Sequence, residues 1–301
     1  MLTLAEMAIR ANDPLEKGII RLYAEHSDIL TGLPFKSIGG NAYTKKREKT
    51  LSGVGHRSVN EEYADSTGTQ ERISEDLKIM GGKALVDRFI IKTAGPDSNP
   101  VAEEVESKVK AASMFFNKTF IKGDGTADTE SFDGLENRLT GAQVLDMGDT
   151  VGGDALTLNA LDELIDTVGS PSQLIMNTWT RRKINQLMRA SGQAFEYVKN
   201  DFGKLIPYYG GIPVALVGVD NTFSEIMAFD EDDNTDEAAL CTSIYAVKYG
   251  ADALHGIQHS SIIVDDQGII GNSRQIVFDW YVSFIINQPK AAARLRGIKK
   301  V

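Results

Sequence analysis

The sequence predicts an α+β fold. Three observations carry that expectation. A 20-residue stretch from Val101 to Phe120 keeps strict helical spacing, with Val101, Val105, Val109, Ala112, Phe116 and Phe120 on one side. Short apolar runs typical of strands crowd the second half, at 173–177, 212–217, 243–249, 257–264 and 274–286. Helices and strands are mixed without the regular alternation that a doubly wound parallel sheet needs.

The first 38 residues read as a short helix, a break and a second helix. Asp13 suits an N-cap and Pro14 the first helical position, and Leu15, Ile19, Leu22 and Tyr23 form a narrow apolar stripe. That stripe is too small for a core of its own, so the segment has to lie on something else. From Asn41 to Thr93 the chain changes character. A basic cluster, Lys45, Lys46, Arg47 and Lys49, leads to a glycine-punctuated stretch, Ser52-Gly53-Val54-Gly55-His56. An acidic run follows, with Glu61, Glu62, Asp65, Glu71, Glu75 and Asp76, and a strand is expected only at 85–91. Fixing each backbone residue costs roughly 1–2 kcal/mol, and this segment has few apolar side chains to offset that. It is therefore either disordered or held by a partner. Opposite charges at its root and beyond its tip suggest an arm lying across a neighbouring copy.

Ser98-Asn99-Pro100 starts the long helix, and its charges match the helix dipole: Glu103, Glu104 and Glu106 near the beginning, Lys118 and Lys122 near the end. A turn-rich loop, Gly123-Asp124-Gly125-Thr126, follows. Thr157–Val168 reads as a helix, Gln173–Asn177 as a buried strand, and Thr178–Ala190 as a basic helix with Trp179, Ile184 and Leu187 inward and Arg181, Arg182, Lys183 and Arg189 outward. The remaining strands are expected at 212–217, where Pro213 implies an edge or a strand start, and at 226–229, 243–249, 257–264 and 274–286.

The chain has 301 residues, enough for one large domain or two ordinary ones, with 42% apolar and 25% charged residues, which excludes wholesale disorder. Its formal net charge is -10, the wrong sign for a protein that grips nucleic acid over its whole surface. The single Cys241 excludes an internal disulfide and cysteine-based zinc sites, and only His26, His56, His255 and His259 are available for a histidine centre. The stretch 276–286 is interrupted by Asp279 and falls short of the roughly 20 residues that span a bilayer. With no basic, apolar leader at 1–10, a soluble intracellular product is the default expectation.

The residues offer no catalytic signature. Gly81-Gly82-Lys83-Ala84 lacks the phosphate-loop spacing, Gly53-Val54-Gly55 lacks the third glycine of a dinucleotide fingerprint, and there is no nucleophile elbow. His255 and His259 lie in an alternating, strand-like context without an adjacent Glu. Asp230, Asp232 and Asn234 imitate a calcium loop, but Thr235 and Cys241 stand where Gly and Glu are required. Lys290, Arg294, Arg296, Lys299 and Lys300 form a basic end that could touch phosphate, pair with an acidic neighbour, or stay solvated.

Four segments together resemble the major capsid protein of tailed double-stranded DNA bacteriophages, the Hong Kong 97 fold. They are Phe120-Ile121-Lys122-Gly123-Asp124-Gly125-Thr126 with Phe132-Asp133-Gly134-Leu135; Gln173-Leu174-Ile175-Met176-Asn177-Thr178-Trp179; Leu205-Ile206-Pro207 with Gly210-Gly211-Ile212-Pro213-Val214; and 278–286 with Gln288-Pro289-Lys290-Ala291-Ala292. The likeness runs from about Asn41 to the end. It implies an N-arm over 1–40, an extended E-loop over 41–92, a peripheral domain with its spine helix over 93–145, an axial domain over 146–250, peripheral return strands and a three-fold loop over 251–283, and a closing axial strand over 284–301. The tip of the three-fold loop is expected at Asp265-Asp266-Gln267-Gly268.

The resemblance also implies a function: self-assembly as pentamers and hexamers into an icosahedral or prolate head enclosing double-stranded DNA, with no catalysis, cofactor, metal or membrane. Inter-subunit contacts are expected at Lys45, Lys46, Arg47, Lys49, Glu61, Glu62, Glu75, Asp76, Asp265 and Asp266. The family's N-terminal scaffold extension is not present before the arm, so a separate scaffolding protein is expected, along with a portal, a possible decoration protein and non-specific contact with the packaged DNA. The product would be a virion component assembled in the host cytoplasm. Some members of the family form a covalent Lys–Asn bond between subunits; Lys45, Lys46, Lys49 and Asn272 are the candidates here, without a match to the family's reacting positions, and a non-covalent shell is expected. The alternatives are an encapsulin-like compartment, an enzyme with an unrecognised site, and another virion protein such as a tail tube.

Overall fold

The computed structural model describes residues 1–10, 14–95, 98–148, 152–200, 202–232 and 239–301, without the side chains of Leu15, Glu16, Lys49 and Ala239. The expected cap at Asp13, the side chains of Leu15 and Lys49, and most of the acidic run, 233–237, therefore lie outside the described residues.

Three helices open the chain: α1 (Leu4–Arg10), α2 (Pro14–His26) and α3 (Asp28–Gly32). Thr3 and Glu6 cap α1 reciprocally, each backbone N–H donating to the other's side chain. The stripe on α2 does lie on something: Ile19, Tyr23 and Ala24 are buried, and α2 packs on the long helix α5 (Pro100–Lys122). At 1.5 Å per residue, α5 is about 34 Å long. Asn99 accepts from Ala102 N and Pro100 is its first residue, as the sequence indicates.

Between these helices come β1 (Phe35–Ser37), β2 (Ala42–Thr50), β3 (Thr69–Asp76), β4 (Lys78–Asp87) and α4 (Arg88–Thr93). The strand expected at 85–91 is thus corrected. It ends at Asp87, whose carboxylate accepts from Phe89 N and starts a helix with no buried residue. The segment 41–92 is also more regular than the sequence suggests, with three strands around an irregular, exposed stretch at 51–68.

After α5 follow α6 (Leu135–Arg138), β5 (Val144–Asp146), α7 (Leu158–Val168), β6 (Gln173–Met176), α8 (Thr178–Ala190), β7 (Glu196–Lys199), β8 (Leu205–Tyr209), β9 (Ile212–Leu216), β10 (Glu231–Asp232), β11 (Ala239–Val247), β12 (Leu254–Gln258), β13 (Ile263–Ile270), β14 (Ser273–Ile286) and β15 (Ala292–Lys299). Three further expectations change. Residues 226–229 are a buried turn, not a strand, with Val219 and Glu225 forming an isolated bridge beside it. The strand expected at 257–264 is two strands separated by a bend at 259–262. Asp265 and Asp266 sit within β13, whose register shifts between Asp266 and Gly268, and the turn to β14 is at Gly271 and Asn272. On α8 the buried positions are Thr180, Ile184 and Met188, while Trp179 and Leu187 are half-buried.

The strands make two principal sheets. In the first, β14 pairs antiparallel with β4 through residues 273–282, and with β13 and then β12 along successive stretches; β1 adds to β12 in parallel. Alternate residues of β14, namely Ile276, Phe278, Trp280, Val282 and Phe284, are buried in one core with Val105, Val109, Phe116 and Phe120 of α5. The second sheet has the order β5-β15-β11-β6-β9-β8-β7. Both of its faces are covered. Leu174, Met176, Ile244 and Ala246 point into a second core with α7 and α8, while Ile175, Tyr245 and Val247 join the first core. The sheets exchange the chain at 139–143, at 248–253 and at 287–291, so β14 lies wholly in the first sheet and β15 in the second.

The glycines of the turn after α5 have a steric reason. Gly123 N–H caps the helix by donating to Thr119 O, and Gly134 N donates to Gly123 O at 2.8 Å. A Cβ on Gly134 would stand 2.5 Å from Ile121 O and 2.6 Å from Gly123 N, distances that no side chain tolerates. Asp124 closes the loop by accepting from Thr126 N at 2.8 Å and Ala127 N at 3.1 Å, bonds that lower its pKa, the Thr126 hydroxyl contributing most.

Candidate assembly surface

β2 and β3 pair antiparallel from Ala42 opposite Asp76 to Thr50 opposite Thr69. The hairpin has no core. No described residue between Lys36 and Ile79 is buried. An isolated two-stranded ribbon is marginal in water, so the charges along it have to help. Arg47 donates to Glu71 Oε2 from Nη2 at 2.8 Å and from Nε at 3.1 Å, across the ladder. Lys45 Nζ reaches Asp252 Oδ1 at 2.6 Å and Ala251 O at 3.3 Å, tying β2 to the body. Glu75 receives a two-pronged contact from Arg138 of α6, with Nη2 to Oε2 at 2.9 Å. The Arg138 guanidinium also lies 4.4 Å from the centre of the Phe284 ring. Lys78 Nζ donates to Thr129 O at 2.6 Å.

The charges singled out in the sequence therefore divide into two groups. Lys45, Arg47 and Glu75 are engaged within the chain and brace the hairpin. Lys46, Glu61, Glu62 and Asp76 are exposed. Glu61 is part of a local turn in which Ser58 N donates to its Oε2 at 3.2 Å, and Arg57 stands over the Tyr63 ring at 5.3 Å. The far end is also apolar and uncovered: Val54 is 98% exposed and Val59 87%, with Leu51 and Tyr63 also well exposed. Single exposed apolar residues are ordinary; four along an arm without a core make it a candidate surface for another molecule.

Asp265 and Asp266 form a separate locus, on β13. Arg274 Nη2 donates to Asp266 Oδ2 at 2.5 Å, which holds the Asp266 carboxyl below its usual range, while Asp265 is exposed. Beyond them Ile263, Ile269 and Ile270 are exposed, as are Ile79 and Leu85 on β4. Two outer strands of this sheet, β4 and β13, thus show apolar side chains to solvent, an arrangement that free monomers avoid.

At the root of the hairpin a cleft of about 630 Å3 opens between β2 and the 287–290 turn, lined by Lys45, Lys46, Arg47, Asp252, Asn287 and Lys290. Under it His255 is fully buried, its Nδ1 3.2 Å from Gly250 O and its ring edge-on to Tyr43 at 5.9 Å. Burial depresses its pKa to about 4; Lys36 and Lys45 add to the effect, and the contacts with Gly250 and Asp252 oppose it.

A second buried group takes Arg294 out of the basic end in which the sequence places it. Arg294 donates to Glu231 Oε2 at 2.8 Å, to Glu136 Oε1 at 3.0 Å and to Ser243 Oγ at 2.9 Å, joining β15 to β10, β11 and α6. Burial raises the Glu231 pKa against the pull of Arg294. The partners lie 51 to 158 positions apart in sequence, so no local pattern could reveal them. Among the described residues, no group of three or more His, Cys, Asp or Glu is placed to hold a metal ion, and no helix is long and apolar enough to cross a membrane.

No protein-family model and no curated protein matches the sequence. Solved structures do match the fold. The holo-SrpI encapsulin complex from Synechococcus elongatus aligns over 89% of this chain and 85% of its own, with a TM-score of 0.63 and 16% identity. The capsid of the native GTA particle aligns over 90% and 89%, with a TM-score of 0.63 and 14% identity. The capsid of Myoviridae phage XM1 aligns over 89% and 90%, with a TM-score of 0.57 and 12% identity. With a bracing hairpin arm, a long helix under one sheet and a second sheet beyond it, this chain has the capsid-shell fold of the Hong Kong 97 type.

Proposed function

We propose that this chain is the structural subunit of a closed protein shell, the major capsid protein of a tailed double-stranded DNA phage. The observation that carries the reading is the hairpin arm, which has regular strands, braced roots and an apolar tip that buries nothing in its own chain. Such an arm is explained by a second copy lying under it. Contacts of that kind are heterologous and close into rings, here of five and six subunits, and the rings into a shell. Each contact can be weak, because every subunit makes many and the effective concentration within a shell is high. On this reading the exposed Lys46, Glu61, Glu62 and Asp76 of the arm and Asp265 of β13 face neighbouring copies. The shell would contact packaged DNA non-specifically, and portal, scaffolding and decoration proteins would be its other partners.

A specific observation favours a second reading. The encapsulin matches as well as the GTA capsid does, with the same TM-score. An encapsulin-like compartment would use the same arm and enclose protein in place of DNA.

Electron microscopy of the expressed chain tests the first claim, and closed shells are expected. Replacing 52–68 by a two-residue Asn-Gly turn should leave the folded body intact and prevent closure. Normal shells from that variant would sink the role given to the arm. Nuclease-protected DNA inside the particles supports the phage reading, and a co-purified protein filling them supports the compartment.

A further inference from the structure

The basic end expected from the sequence does not exist as a unit. Arg294 is buried against Glu231 and Glu136, Arg296 pairs with Asp146, and Lys290 lies at the cleft beside the hairpin. Lys299 and Lys300 remain exposed, and the end of the chain meets α8 through Lys300 and Val301. Lys183 Nζ donates to Val301 O at 3.3 Å, Lys300 Nζ stands 5.3 Å from the Phe229 ring centre, and Phe229 meets Trp179 edge-on at 4.9 Å.

The patch so formed is unusual for a chain of net charge -10. No Asp or Glu occurs between Thr167 and Phe195, nor between Trp280 and Val301. Arg182 and Arg189 are exposed and make no ion pair among the described residues. Two helical turns separate them, about 10 Å along the axis. The nearest described carboxylate in sequence to Phe229, Asp230, is held by Lys122 Nζ at 2.9 Å.

We propose that the outer face of α8, together with Lys300, is a binding surface for the phosphate backbone of double-stranded DNA. Duplex DNA carries one charge per about 1.7 Å of axis, so a rigid row of cations can meet several phosphates at once, whereas base edges are not needed. The patch is confined to one helix face and one strand end, which is why the overall acidic charge does not forbid the contact. The inference rests on the shell reading only for its biological setting; the binding itself does not depend on assembly.

The test is binding of a 30-base-pair duplex to the full chain, before assembly and as particles, from 50 to 200 mM NaCl. The comparison is between the natural chain and a triple variant, Arg182→Gln, Arg189→Gln and Lys300→Gln. Losing three phosphate contacts should make the slope of log K against log salt less negative by about 2.7, so that the natural chain loses about fortyfold more affinity across that range than the variant does. A control carrying Lys83→Gln and Lys92→Gln, on exposed positions away from α8, should behave like the natural chain. Equal affinity and slope for the natural chain and the triple variant in both forms overturns the proposal. So does binding of a polyglutamate peptide without binding of the duplex, which would assign the face to an acidic protein segment. Failure to form particles would count against the shell reading alone, because the unassembled chain still decides this one.

Discussion

Arg138 grips Glu75 across 63 positions of sequence, Nη2 to Oε2 at 2.9 Å with Nη1 on the other oxygen, and its guanidinium lies on the ring of Phe284. It is the point at which the coreless hairpin is fastened to the helix that follows α5. Two-pronged guanidinium contacts are the strong form of an ion pair, and this one is largely shielded, with the side chains 13% and 21% exposed.

Arg138→Ala should therefore cost more than a surface pair does, on the order of 2 kcal/mol after allowing for partial exposure. Arg138→Lys should recover only part of it, since an ammonium cannot fork. Urea unfolding gives the stability, and limited proteolysis within 51–68 gives the anchoring. If Arg138→Ala left both unchanged, the pair would not be what holds the arm.

The glycines after the long helix make a second prediction. Gly134→Ala places a methyl 2.5 Å from Ile121 O and 2.6 Å from Gly123 N, both backbone atoms that cannot step aside. The cost should be about 1–3 kcal/mol. Gly55→Ala, at an open position with no left-handed conformation, should change stability by less than about 0.5 kcal/mol. Thermal unfolding of the two variants side by side distinguishes a steric requirement from a general intolerance of substitution.

How far the sequence could be read follows from such local constraints. The long helix was legible because Asn99, Pro100 and a six-residue apolar stripe agree with one another. Residues 88–91 read as strand because Phe89, Ile90 and Ile91 have strand propensity, while the cap at Asp87 decides for a helix. Residues 226–229 form an apolar run like a strand, yet they are held as a turn beside Asp220, which accepts from Thr222 N, Ser224 N and Lys118 Nζ. The strands β7 and β8 went unread because β7 is exposed throughout and shows no alternation. At the assembly surface the charges were visible, but their division was not. Whether Arg47 meets Glu71 or a neighbouring copy depends on the register across an 18-residue irregular tip, which pattern cannot fix.

His255 gives a pH dependence. The folded chain keeps it neutral down to about pH 4, while the unfolded chain takes up its proton near 6.5. Between these values the unfolded state binds more protons, so this contribution to stability is complete above about pH 6.5 and is lost as the pH falls toward 4. The difference corresponds to at most about 3 kcal/mol. In melting curves from pH 4 to 7, His255→Gln should remove a large part of the slope in that window. An unchanged slope would show that other groups set the acid sensitivity.

Trp280 joins the two halves of the first core, and its replacement has a spectroscopic readout as well as an energetic one. Its ring lies 5.1 Å from Phe35, 5.6 Å from Phe116 and 5.9 Å from Tyr23, and its Nε1 donates to Gln258 Oε1 at 2.9 Å. Trp280→Phe keeps an aromatic ring but leaves a small void and a buried Gln258 oxygen without this donor. A loss of about 2–4 kcal/mol is expected, the unpaired acceptor alone accounting for roughly 1–3 kcal/mol. The only other tryptophan, Trp179, is half-buried at the start of α8. The natural chain should therefore show a blue-shifted, iodide-resistant emission component that disappears in Trp280→Phe, leaving a redder component open to quencher. Since Tyr23 belongs to α2 and Phe116 to α5, survival of the blue component in the natural chain at high dilution would show that the N-terminal helices dock on their own body before any second copy arrives. Its loss on dilution would show instead that this docking depends on assembly.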